Sequence, residues 1–108
     1  MENLKPNPSL VDFQNYVREL EIERGFSHQD VISKCLLLGE EVGELFKSIR
    51  KSTKMSIDPQ SNTSTPAQEL ADIIIMICSI ANRLDIDLES AFRKKEEINK
   101  NRKWTIDI

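Results

Sequence analysis

Residues 65–84 read TPAQELADIIIMICSIANRL, and two structures compete for them. The run from Ile73 to Ile77 has the β-branched composition of a buried strand. Upstream, however, Thr65 can cap a helix, Pro66 suits its first position and Gln68 closes a capping box. The apolar character continues through Cys78, Ile80, Ala81 and Leu84, well past the usual strand of about 5 or 6 residues. The stretch therefore predicts a helix from Pro66 to about Leu84. A helix apolar on nearly every side must be buried on nearly every side. In a chain of 108 residues that calls for a second copy to cover part of it.

Outward from this helix the same period recurs. Ser9 is a plausible cap for a first helix carrying Leu10, Phe13, Val17 and Leu20, with Gly25 as its stop. Ser27 or Asp30 can cap a second, whose apolar set Val31, Cys35, Leu38, Val42, Leu45 and Ile49 runs to about Lys51. Asp87 can cap a last helix from Leu88 to about Lys100. Residues 52–65, polar and carrying Pro59, read as a loop, and residues 1–8, with Pro6 and Pro8, as an extended arm that frays or packs on a neighbour. The expectation is all-α: one four-helix bundle-like domain over residues 1–108, completed by homo-oligomerisation as a homodimer or homotetramer.

The formal net charge of -3 leaves no broad basic field for a phosphate backbone, so nucleic acid is not an expected partner. No run reaches the roughly 18 apolar residues of a membrane span, and the start, MENLKPNPSL, lacks the layout of a signal peptide. No membrane partner and a cytoplasmic location are expected. Cys35 and Cys78 lie in apolar helical runs and read as buried free thiols. Two cysteines and one histidine cannot close a Cys/His zinc site unaided.

The chemistry-bearing residues are acidic. Glu40, Glu41 and Glu44 sit mid-helix between Leu36-Leu37-Leu38 and Leu45-Phe46, with Glu44 on the face of its predecessors at i+3 and i+4. Glu69 and Asp72 repeat the i, i+3 spacing just before the most apolar run. Like charges so spaced destabilise a helix by roughly 0.2–0.5 kcal/mol per pair, and burying them costs far more unless a cation answers. If the two helices pack antiparallel, four carboxylates face a common point. Such oxygen ligands suit magnesium or manganese better than zinc or copper. The alternative is a chance wet face in a chain with 18 acidic residues.

Glu40-Glu41-Val42-Gly43-Glu44 followed by Glu69-Leu70-Ala71-Asp72 resembles the EExxE and ExxD signature of the MazG-like all-α nucleoside triphosphate pyrophosphohydrolases. GEEVGEL, ELADIII and IDLESAFRKKEEINKNRKW extend the likeness across roughly residues 10 to 104. The resemblance implies an oligomeric helical enzyme that splits a nucleoside triphosphate substrate into monophosphate and pyrophosphate with Mg2+, or Mn2+ in its place. It implies that Glu41, Glu44, Glu69 and Asp72 hold the metal, and that Glu40 and Glu41 serve catalysis, Glu40 by supporting the ligands or aiding the attacking water.

Lys95, Asn99 and Arg102 recur at i, i+4 and i+7 and match the family's K-x-x-x-N-x-x-R pattern, which implies contact with the nucleotide. Taken by spacing, they also fit a solvated basic face at a helix C-terminus. For the base, the resemblance nominates Phe13, Gln14, Phe26 and His28; Phe13 is equally a core residue, Phe26 a staple before the Ser27 cap and His28 a surface residue, and Trp104 either closes the pocket from the tail or packs on another subunit. Two rivals bound the reading. A di-iron bundle wants Glu-x-x-His twice, which a chain with one histidine cannot supply. A non-catalytic, oligomeric nucleotide- or metal-binding protein would carry the same motif.

Overall fold

The computed structural model describes residues 1–53 and 64–103. They form four helices, α1 (Leu10–Arg24), α2 (Val31–Ser52), α3 (Pro66–Arg83) and α4 (Leu88–Lys100), and no strand. Each helix begins where a polar cap satisfies otherwise unpaired N–H groups. The Ser9 hydroxyl accepts from Asp12 N–H while the Asp12 carboxylate receives the Ser9 N–H at 2.8 Å. Thr65 and Gln68 form the same reciprocal box for α3. Of the two candidate caps for α2 it is Asp30 that accepts, from Ser33 N–H at 2.8 Å. Asp87 caps α4. The isoleucine run is helical, its β propensity overridden by the box in front of it. Gly25 ends α1 at φ 75°, a left-handed turn where any Cβ would be strained.

α2 and α3 share the most extensive interface, α1 lies against α3, and α4 docks mainly on α1. Val17, Leu20, Cys78 and Ala81 are the buried apolar residues among those described, with Phe13, Tyr16, Ile75 and Leu88 around the first three. The core is small, and a polar hub reinforces it. Glu21 of α1 receives Arg83 of α3 through two guanidinium nitrogens, at 2.9 and 2.7 Å, and the Ser79 hydroxyl at 3.0 Å. The Lys34 ammonium of α2 reaches the same carboxylate at 3.4 Å, both side chains being almost fully buried. Arg83 also donates to the carbonyls of Gln29 and Phe26, pinning the α1–α2 turn.

A second clamp holds α4. Gln14 donates to Asn82 Oδ1 at 3.1 Å and to the Ile86 carbonyl at 2.8 Å, and accepts the Leu88 N–H at 2.9 Å.

Several expectations change in the folded chain. Cys35 is exposed and only Cys78 is buried, both as free thiols, because Cys35 neighbours Ile32 and Leu36 on a solvent-facing side of α2. The arm packs on its own α1, with the Met1 amino group 3.4 Å from Glu23 and Lys5 3.1 Å from Asp12. Leu70, Ile74 and Ile77 of α3 remain exposed within one chain. Of the expected 52–65 loop, residues 54–63 lie outside the described residues, as does Trp104, and α2 itself extends through Ser52. No described helix is long and apolar enough to cross a membrane.

Burial pushes the Glu21 carboxyl up, but hydrogen bonds from Arg83 and Ser79 and the charges of Arg83 and Lys34 outweigh it, leaving it below its usual 4.5. Its stabilisation is therefore complete above that value and lost as the pH falls through the lower folded one. Glu21→Ala, which strands Lys34 and Arg83, should cost about 3–5 kcal/mol in urea unfolding near neutral pH. The loss should shrink on acidification. An equal loss at all pH values would contradict the hub.

Candidate metal centre

Two sets of contacts fix the relative direction of α2 and α3. Near the start of α2, Lys34 meets Glu21, which is held by Ser79 and Arg83 at the end of α3. Farther along α2, Glu41 lies near Glu69 and Asp72 at the start of α3. The helices are thus antiparallel, and the i, i+3 spacing turns Glu69 and Asp72 to the same side of α3.

One carboxylate oxygen from each of Glu41, Glu69 and Asp72 lies within 4.8 Å of the others. Glu69 is only 5% exposed, Glu41 is half-buried and Asp72 is open to solvent. Two unit charges at such a separation repel by on the order of 3 kcal/mol at an effective dielectric near 20. No ion pair to any of the three forms among the described residues. The Glu41 carboxyl is accordingly pushed up to about 6, by burial first, then by Glu69 as hydrogen-bond partner and by the charges of Asp72, Glu69 and Glu40. The Ser64 hydroxyl donates to Glu69 Oε1, whereas with the neighbouring carboxyls ionised Oε2, sequestered from solvent, receives no hydrogen bond from a donor among the described residues. Oxygen ligands from two helices, crowded, anionic and partly orphaned, fit a hard divalent cation such as Mg2+ or Mn2+.

Glu44, one turn beyond Glu41 and half-buried, is not within the convergent group. Glu40 is exposed, and its charge acts on Glu41. Lys95 lines an apolar cavity of about 490 Å3 with Phe13, Ile74, Cys78 and Phe92. Asn99 donates to Glu96 at 3.0 Å, and the Arg102 N–H to the Asn99 carbonyl at 3.1 Å. Their helix, α4, docks mainly on α1, and its Leu88 also packs against the cluster that holds Cys78 of α3. Gln14 is buried with its amide engaged by Asn82, Ile86 and Leu88. Phe26 carries the Lys34 ammonium 5.2 Å from its ring centroid, and His28 is exposed in the same turn. That turn precedes Val31, about 15 Å along the α2 axis from Glu41. Ser64 was not a candidate by sequence; the available signal was its place just before the capping box of a helix with an acidic first turn.

Fold and site together define an all-helical protein whose central helix pair presents an acidic cluster suited to a divalent ion. Residues 29–105 match the family described as the MazG nucleotide pyrophosphohydrolase domain, and the chain belongs to that family. It is 30% identical over 106 residues to dCTP pyrophosphatase 1 of Homo sapiens, a match covering 93% of this chain; the chain spans 62% of that relative's length. Two crystal structures of iMazG from Vibrio DAT 722 share the fold. The C-tagged form is 29% identical with TM-score 0.65, over 86% of this chain and 99% of that one. The N-tagged form is 30% identical with TM-score 0.67, over 88% and 100%.

Crowding gives the metal-free protein a distinctive pH response. With the folded value of Glu41 near 6 and its ordinary one at 4.5, the favourable contribution of its protonated form is full below 4.5 and lost as the pH rises through 6. In chelator, Tm should therefore rise on going from about pH 7 to about pH 5, and Glu41→Gln should raise Tm at the upper pH and flatten the response. Indifference of Tm to both changes would show that the carboxylates do not crowd.

Proposed function

We propose that the chain is a Mg2+-dependent pyrophosphohydrolase, accepting Mn2+ in its place, that converts a nucleoside or deoxynucleoside triphosphate into monophosphate and pyrophosphate. The observation that carries this reading is the convergence of Glu41, Glu69 and Asp72 with a buried unpaired oxygen on Glu69. These three would hold the ion, with Glu44 joining from the next turn of α2. Bound there, such an ion would supply Lewis-acid chemistry, lowering the pKa of a water and offsetting charge on the leaving pyrophosphate.

The remaining roles belong to the chain. Glu40, exposed beside Glu41, is available to take a proton from the water attacking the α-phosphorus. Lys95, Asn99 and Arg102 on α4 and its end offer the cationic and amide contacts a triphosphate needs. Gln14 contributes by fixing the first turn of that helix, and Phe26 and His28 offer an aromatic and a polar group to the base. The printed name of the human relative makes dCTP the first substrate to try.

A homodimer or homotetramer, built from one such domain and working in the cytoplasm, completes the proposal. Its support is the apolar surface left by one chain: Leu36 is 72% exposed, Phe92 66% and Phe46 62%, beside Ile32 and Ile74.

Product chromatography over a panel of nucleoside triphosphates, with magnesium and with chelator, tests the reaction. Magnesium-dependent monophosphate plus pyrophosphate is expected, and silence across the panel would favour a binding protein instead. Glu69→Gln and Asp72→Asn should each lower turnover by about 100-fold or more with helical content retained. Arg102→Ala should weaken nucleotide binding more than Mg2+ binding; an equal loss of both would argue against direct contact with the nucleotide.

A further inference from the structure

At a helix start, the residue before the cap and the fourth residue of the first turns come side by side, a geometry usually filled by an apolar pair that staples the chain to the helix. In α3 these positions hold Ser64 and Glu69, since Thr65 is the cap and Pro66 the first helical residue. The pair is polar, and the Ser64 hydroxyl donates to Glu69 Oε1. The two carboxylate oxygens of Glu69 are thereby differentiated. Oε1 is tied back to the chain entering the helix, while Oε2 is buried and without a partner among the described residues. Glu69 itself is 5% exposed and stands in the cluster with Glu41 and Asp72.

We propose that Ser64 is a positioning residue, whose hydroxyl fixes the Glu69 side chain so that its unpaired oxygen is presented to a divalent cation held with Glu41 and Asp72. The inference rests on the metal-centre reading above and adds the residue that orients its most buried ligand. A glutamate side chain has several rotatable bonds, and a ligand left to sample them binds less tightly than one held in place. The helix start supplies the holding group at no expense to the cap, because the Thr65–Gln68 box is complete without Ser64.

The test is Mn2+ binding to the nucleotide-free full chain, read from the electron paramagnetic resonance signal of the free ion, for the natural sequence and for Ser64→Ala, Ser64→Thr and Glu69→Gln. Ser64→Ala should weaken Mn2+ binding by about tenfold or more, Ser64→Thr should restore most of it, and metal-free Ser64→Ala should keep the helical content of the natural chain. Natural affinity in Ser64→Ala beside weakened affinity in Glu69→Gln would overturn the positioning role and leave the metal centre standing. Natural affinity in Glu69→Gln would remove the metal-centre reading and this inference with it. Loss of helical content in Ser64→Ala, unrepaired by Ser64→Thr, would make the residue structural and likewise overturn the proposal.

Discussion

Glu21 sits where α1, α2 and α3 meet, and its carboxylate takes Arg83 at 2.7 Å and Lys34 at 3.4 Å. Such a group is expensive to bury alone and tolerable only when its partners are in place. The pairing therefore penalises any slippage of α2 along α3, since a shift by one turn would separate Lys34 from Glu21 and leave both charges buried. With that end fixed, the antiparallel run of the two helices carries Glu41 to Glu69 and Asp72. The meeting of these three acidic residues thus depends on an ion cluster that touches none of them.

The two clusters are electrostatic opposites on one scaffold. Around Glu21 one carboxylate meets two cations, so its charged form is favoured despite burial. Around Glu69 three carboxylates meet one another, so the charged form of Glu41 is disfavoured. A fold optimised for stability alone would not keep the second arrangement, and local conflict of this kind is where function is expected to reside. The hub, the small apolar core and the Gln14 clamp supply the stabilisation that lets the repulsive cluster persist. A divalent cation bound there would reverse the sign of that cluster's contribution.

Helix boundaries were legible in the sequence because each is written locally. Ser9, Thr65 and Asp87 are caps, Gly25 is a stop, and all four act within a few residues of where they stand. The choice of Asp30 over Ser27 was not legible, because both are competent caps. The acidic cluster was legible as a helical spacing, but its membership depends on how two helices are rotated against each other, which spacing does not fix. Hence Glu44, equivalent to Glu41 by pattern, falls outside the convergence. The Glu21 hub escaped entirely, since it joins residues from three helices and an acidic residue near a helix end looks like a surface position. Gln14 was proposed for the base from resemblance, and its amide is engaged by the α3–α4 turn and the start of α4. Cys35 and the outer face of α3 are apolar by sequence yet exposed in the single chain, since helical spacing alone does not say which apolar side meets a neighbouring helix.

Catalysis as proposed turns on Glu41, Glu69 and Asp72 forming a divalent metal centre. Crystals of the protein soaked in Mn2+ and measured for anomalous scattering at the manganese edge address it most directly. An anomalous peak at coordination distance from an oxygen of each of the three residues, with Glu69 Oε2 among them, is the result the account predicts. Full manganese occupancy elsewhere, with no peak between α2 and α3, would contradict it.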